Sequence, residues 1–241
     1  MISLELIDRV RTGDRAALAR LVTAIESGEP GVAAAIDAMV GAGPSARRIG
    51  ITGPPGAGKS TLISAIINEF RFRSRSVAVL AVDPSSPLTG GALLGDRIRM
   101  QDHVEDEGVY IRSMASRGHL GGLAPAAGTT IDALAKAGFD YVLVETVGVG
   151  QSEVEVMGLV EVVVLVVGPG WGDQIQAEKA GVVEIADLFV VNKGDRPGVD
   201  EVRLSLLGAA GESGPQVLVT TASTGEGVSA LVDALDGLLA V

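Results

Sequence analysis

The chain has 241 residues, 47% hydrophobic but only 3% aromatic, with 33 glycines and a formal net charge of −11. This fits one α/β domain with an aliphatic core, and the acidic balance argues against a nucleic-acid-binding surface, which needs a basic stripe. The lack of cysteine excludes disulfides and thiolate metal sites. The start, Met-Ile-Ser-Leu-Glu-Leu-Ile-Asp, has no basic opening of a secretory signal, so a cytoplasmic protein is expected.

Residues 4–26 space Leu4, Ile7, Leu18, Leu21, Val22 and Ile25 among charges, which predicts helix. Gly28 to Gly31 punctuates the pattern, Val32 to Val40 reads as a second short helix, and Gly41 to Ser45 reads as a linker. Residues 1–45 are therefore expected to form an N-terminal helical appendage, and residues 46–241 a second unit. Past the linker the pattern changes. Short β-rich runs are expected at Arg48–Thr52, Ser76–Val82, Val109–Arg112, Tyr141–Glu145, Val162–Val167, Leu188–Asn192 and Gln216–Val219. Helices are expected between most of them, at Lys59–Arg71, Leu123–Ala137, Asp173–Val183, Val199–Ala210 and Glu226–Leu239. Strand alternating with helix predicts an α/β fold, a mostly parallel sheet with helices on both faces. Ligands bind such sheets at the carboxyl ends of the strands. The most apolar stretch, Val156 to Val167, is interrupted by Glu161 and is too short to span a bilayer, so no membrane association is expected.

The chemistry is expected on that edge. Gly53-Pro54-Pro55-Gly56-Ala57-Gly58-Lys59-Ser60 follows a strand, precedes a helix and matches G-x-x-x-x-G-K-[ST], so the fold is that of a P-loop NTPase. Glycines let backbone N–H groups turn inward around phosphate oxygens, and the following helix adds its positive end, with Thr61 in its first turn. Lys59 is placed to reach the β- and γ-phosphates, and the Ser60 hydroxyl to ligate Mg²⁺. The metal also needs acids. Asp83 closes one strand, Asp96 lies in the loop beyond it, and Glu145 closes another strand. Glu145-Thr146-Val147-Gly148 has the D-x-x-G spacing of a switch with Glu in place of Asp, and leaves the Gly148 N–H to meet a γ-phosphate. Lys59, Asp96 and Glu145 are the expected catalytic set.

Asn192-Lys193-Gly194-Asp195 matches N-K-x-D. A carboxylate presents two acceptors, and guanine presents N1–H and N2–H₂ side by side, a pair that adenine lacks. Asp195 is the expected discriminator, the Lys193 stem covers the base, and Asn192 ties adjacent loops together. Thr221-Ala222-Ser223 follows the last strand, where a backbone amide can meet the guanine O6.

Four longer stretches go beyond this pattern: Asp83–Met100, Ile111–Leu123, Glu145–Glu153 and Gly172–Gly181. Together they closely resemble the MeaB/ArgK-type GTPases that accompany methylmalonyl-CoA mutase and related B12-dependent acyl-CoA mutases. The resemblance covers roughly residues 5–195. It implies that Lys59 and Ser60 hold phosphate and metal, that Asp83, Asp96 and Glu145 line the magnesium site, and that Asn192, Lys193 and Asp195 read guanine. It implies switches at Asp83–Met100 and Glu145–Glu153, and a third around Asp173–Lys179. The implied role is that of a chaperone whose GTP cycle gates adenosylcobalamin delivery to the mutase and protects it. Members continue beyond the last α/β helix into a dimerisation extension, whereas this sequence ends at Val241, so a homodimer is left open.

No glutamine directly follows Gly148, and Gln151 lies three residues on, so slow intrinsic hydrolysis that a partner accelerates is expected. Arg97, Arg112, Arg117 and Lys179 are weighed as charge-stabilising cations, each against an ordinary salt bridge. His103, His119 and Trp171 are weighed against plain packing. Two other activities share the fold. A P-loop kinase would need an acceptor lid that the sequence does not display. A nickel-insertion GTPase would need Cys and His clusters, and this chain has no Cys and two separated His.

Overall fold

Strand runs such as Val-Val-Val-Leu-Val-Val at 162–167 carry no polar alternation, because both faces of the sheet they enter are covered. The computed structural model describes residues 2–39, 45–84, 103, 105–116, 123–146, 151–171, 182–211 and 214–240, with backbone alone at 83–84, 115–116, 123–125, 151–153 and 182. Three helices come first, α1 (Leu4–Arg11), α2 (Arg15–Glu26) and α3 (Val32–Asp37). There follow β1 (Arg47–Thr52), α4 (Lys59–Phe72), β2 (Val77–Pro84), β3 (Val109–Ser116), α5 (Leu123–Lys136), β4 (Tyr141–Thr146) and α6 (Gln151–Met157). The chain continues through β5 (Val162–Val167), α7 (Val182–Ile185), β6 (Leu188–Asn192), α8 (Val199–Ala210), β7 (Gln216–Thr220) and α9 (Val228–Leu239).

Among the described residues the strands form one seven-stranded sheet in the order β3-β2-β4-β1-β5-β6-β7. Every strand pairing in it is parallel. The chain leaves β1 to one side for β2 and β3, and later to the other side for β5, β6 and β7. Such reversals open a crevice at the carboxyl edge, beside β1.

Side-chain alternation sorts the core. Ile49, Ile51, Val79, Leu143 and Val164 face α4 and α9, which bring Leu62, Ile63, Ile66, Ile67, Phe70, Leu231 and Leu235 at helical spacing. Ala78, Leu80, Val82, Val142 and Val144 face the other way and meet α5, α6 and the three N-terminal helices. Leu165, Val167, Phe189 and Val191 pack under α8. Each fully buried Ile or Leu contributes about 1.5–3 kcal/mol relative to exposure. One expectation for the N-terminal region changes in detail. The run 4–26 is two helices: Ser3 caps α1 through the Leu6 amide at 3.2 Å, and Asp14 caps α2 through the Ala17 amide at 3.0 Å. Their apolar stripes, with Ile7, Val10, Leu18, Leu21 and Val22, enter the same core as β2 and β4.

The helix expected at Asp173–Val183 is described only from Val182, as α7, because residues 172–181 lie outside the described residues. No described helix is long and apolar enough to cross a membrane.

At the far end of the sheet, Tyr141 stacks on Phe70 with ring centroids 4.1 Å apart, and its hydroxyl donates to the Asp236 carboxylate on α9. Burial first, and that hydrogen bond second, push the phenol up from 10.0 to about 12. A raised folded-state value favours the protonated phenol. The unfolded chain therefore gains ground as pH climbs past 10, and this contribution is lost by about 12. The native chain's resistance to urea is expected to fall over that interval more than that of Tyr141→Phe. Parallel curves for the two proteins would contradict the assignment.

Candidate functional site: a phosphate loop joined to the N-K-x-D loop

β1 ends at Thr52 and the chain turns at Gly53, whose φ is 144°. A Cβ there would lie 2.0 Å from the Val166 carbonyl oxygen of β5, so only glycine lets the loop rest on that strand. Gly58 has φ 92°, and a Cβ on it would lie 2.5 Å from Asn192 Nδ2. It precedes α4 and offers no side-chain cap. The first amides of α4 therefore point to the loop's interior as a ready anion site.

Lys59 is 6% exposed, and its ammonium donates to the Gly53 carbonyl at 2.8 Å and the Pro54 carbonyl at 3.0 Å. Ser60 is also 6% exposed. Its hydroxyl donates to Glu145 Oε1 at 2.8 Å, and Glu145 is 2% exposed. That contact follows from register, because Glu145 lies opposite Ile51 on β1 and so ends its strand beside the phosphate loop. Pro54 and Ala57 are buried, whereas Pro55, Gly56 and Thr61 are exposed around the mouth.

The other acids are less fully described. Asp83 sits at the carboxyl end of β2, paired in register with Ala115 of β3, and is described by its backbone. Asp96 and Gly148 lie outside the described residues. Among the described residues no group of three or more His, Cys, Asp or Glu side chains converges to hold a metal. The Ser60–Glu145 pair is a set of hard oxygen donors. That suits Mg²⁺, which keeps waters and shares phosphate oxygens rather than filling an all-protein cage.

The N-K-x-D loop follows β6. Asn192 is buried, and its amide donates to the Ala57 carbonyl at 3.0 Å and the Gly58 carbonyl at 3.4 Å. Its Oδ1 accepts from Thr220 Oγ1 at 3.2 Å and from the Ala222 amide at 3.1 Å. One side chain thus joins the phosphate loop, β7 and the loop at 221–223. Lys193 has a left-handed φ of 64°, and its ammonium donates to the Gly56 carbonyl at 2.6 Å, which lays its stem along the cleft. Asp195 is exposed in the same turn. Thr221 and Ala222 are buried and Ser223 is exposed.

A family model described as "Methylmalonyl Co-A mutase-associated GTPase MeaB" matches residues 18–240. The chain belongs to the MeaB family. It is a GTP hydrolase. A Pyrococcus horikoshii protein whose name carries the description GTPase is 49% identical to this MeaB-family chain over 236 residues, covering 94% of the chain and 74% of the relative. GTPase ArgK of Escherichia coli K12 is 45% identical over 195 residues, covering 79% of the chain and 59% of ArgK. The crystal structure of a LAO/AO transport system kinase superposes with a TM-score of 0.78 at 32% identity, over 99% of this chain and 76% of that one.

Three further residues of this MeaB-family protein take defined places. Arg112 forms a salt bridge, 2.5 Å from Glu26 of α2, and also meets Thr23 Oγ1 at 3.3 Å. It ties β3 to the N-terminal helices, so the ordinary reading of this cation holds. Arg97, Arg117, Lys179 and His119 lie outside the described residues. His103 is buried, with Nε2 2.9 Å from Ser64 Oγ, one helical turn beyond Ser60. Trp171 is half-buried against the core under α8. Sequence reasoning missed Thr52 and Thr146, buried hydroxyls that meet at 3.0 Å. The sequence signal was a threonine closing each of two strand runs, after Ile51 in one and after Glu145 in the other.

Proposed function

We propose that this MeaB-family GTPase accompanies a B12-dependent acyl-CoA mutase of the methylmalonyl-CoA mutase type, in the cytoplasm, using its GTP cycle to gate adenosylcobalamin loading and protect the mutase. The observation that carries the reading is the Asn192 junction, which hydrogen-bonds the N-K-x-D loop to the phosphate loop and to residue 222. It is supported by the family model's description, which names association with methylmalonyl-CoA mutase.

In this reading, the residues from Gly53 to Thr61 cradle the phosphates, and the Lys59 ammonium and the α4 amides stabilise charge spread over the phosphoryl oxygens. Asp195 accepts both guanine donors, Lys193 covers the base, and residues 221–223 close its O6 side. Ser60 and Glu145, with Asp83 and Asp96, would hold Mg²⁺, which neutralises charge on the β- and γ-oxygens. Water is the attacking group. The Gly148 amide would meet the γ-phosphate.

The test mixes the protein with an adenosylcobalamin-dependent methylmalonyl-CoA mutase and follows phosphate release. Stimulation of about tenfold or more is expected, modest beside the 10³–10⁵ that a dedicated activating protein can supply. Turnover and mutase inactivation both indifferent to the other protein would overturn the mutase role. The alternative is a P-loop kinase acting on a small molecule or transport protein, and its supporting observation is the name of the 32%-identical structure. Phosphate appearing on an acceptor instead of as free orthophosphate would favour it.

A further inference from the structure

We propose that the Thr52–Thr146 hydroxyl pair is a positioning device for GTP hydrolysis. It fixes where β4 releases the chain relative to the phosphate loop.

Thr52 and Thr146 are 0% and 1% exposed, and the Thr146 hydroxyl donates to Thr52 Oγ1 at 3.0 Å. They are the last residues of adjacent parallel strands, one step beyond the registered pair Ile51 and Glu145. Side chains alternate across a sheet, so Glu145 and Thr146 act on opposite faces. Glu145 takes the Ser60 hydroxyl on the α4 face. Thr146 reaches Thr52 on the other face, the side where Val144 packs. The end of β4 therefore meets the start of α4 through Glu145 and the end of β1 through Thr146. The next loop residue, Gly53, is pressed against Val166 of β5, so Thr52 is held between β4 and β5.

A packing role would not need hydroxyls here. Valine has nearly the same shape, and a buried hydroxyl is unfavourable unless it is hydrogen-bonded. What the pair adds over two valines is a fixed distance between two strand ends. From one the phosphate loop departs. From the other departs the chain through residues 147–150, which lie outside the described residues. Binding of GDP depends on the phosphate and base-reading loops, and Thr146 belongs to neither. Hydrolysis also depends on how the chain after Glu145 stands relative to the γ-phosphate. The pair is thus expected to act on turnover and not on diphosphate affinity.

The inference rests on GTP turnover at this site, so each variant is read beside the unaltered chain, by single-turnover phosphate release and by GDP titration. Thr146→Val is expected to slow turnover about ten- to a hundredfold, the scale of a small misplacement at a reacting centre, with GDP affinity within about twofold. Thr52→Val removes the same bond from the other strand and should do the same. The double variant should lose less than the sum of the two singles, because both remove the shared Thr146–Thr52 bond. Thr146→Ser keeps the hydroxyl and should restore turnover. Unchanged turnover in Thr146→Val would overturn the proposal. So would a loss of GDP affinity matching the loss of rate, a failure of serine to rescue, or unfolding of both valine variants, which would show that the bond serves the fold alone. An unaltered chain that binds GDP and releases no phosphate would instead remove the hydrolase reading beneath it.

Discussion

Lys59→Ala is expected to reduce GTP turnover by about 10²–10³-fold, the usual cost of removing one preorganised charge-stabilising donor. Lys59 enters the loop from the first residue of α4, and its ammonium already lies within hydrogen-bond reach of the Gly53 and Pro54 carbonyls. A cation held there neutralises phosphate charge without being ordered anew at the moment of reaction. Among the described residues, a second cation at the loop, Lys193, is held at the Gly56 carbonyl and not at Gly53 and Pro54. Lys59→Arg is expected to fail as well, since a planar fork does not reproduce a point charge between two carbonyls. GDP binding should weaken in both variants, and phosphate release under single turnover is the measurement. Alanine at 59 with native turnover would remove the phosphate loop from the mechanism.

The second large effect concerns the base. Asp195→Asn replaces two acceptors with one acceptor and one donor, and guanine offers two donors. Charge-assisted hydrogen bonds of this kind contribute about 1.5–3 kcal/mol each, so GDP affinity should fall by about 10²-fold or more. Xanthine, with one N–H beside one carbonyl, matches the asparagine pattern, and xanthosine diphosphate should bind the variant better than GDP does. Asp195 is exposed, so the fold should be unaffected. Thermal unfolding gives the readout, because a ligand at a hundred times its Kd adds about 2.7 kcal/mol of stability. Equal stabilisation of the unaltered chain by ADP and GDP would defeat the base-reader assignment and move the kinase reading forward.

Most of the strand order of events was legible because the strands are buried on both faces. Runs such as Val162–Val167 and Leu188–Asn192 then show their limits as blocks of aliphatic residues, and the structure has them at those positions. Glycine-rich and polar turns at their carboxyl ends marked the G-x-x-x-x-G-K-S and N-K-x-D loops, which the structure brings together through Asn192. Helix α6 was missed, since its start, residues 151–153, follows two glycines and falls within the switch that the resemblance implies. The break between α1 and α2 was also missed. Its signal was present, an Asp14 that caps the next helix while its amide donates to the Arg9 carbonyl at 3.0 Å. Periodicity alone bridged it, because both helices turn their apolar stripes to the same face. The assignment of Arg112 depended on Glu26, 86 residues away, and no local pattern carries such a pairing. The Thr52–Thr146 contact spans 94 residues and was hidden for the same reason.

The sequence contains one tryptophan, and its position gives the molecule an intrinsic optical probe. Trp171 follows β5 by four residues, and the intervening backbone at Gly168 runs along the cleft, where a Cβ would sit 3.9 Å from both Ala57 Cα and Lys193 Cδ. Indole emission from a half-buried ring shifts with the water around it. With two tyrosines as the other ultraviolet emitters of note, excitation at the red edge would report this one locus. A change in that emission on mixing with nucleotide would time arrival and departure in a stopped-flow cuvette on the unlabelled protein.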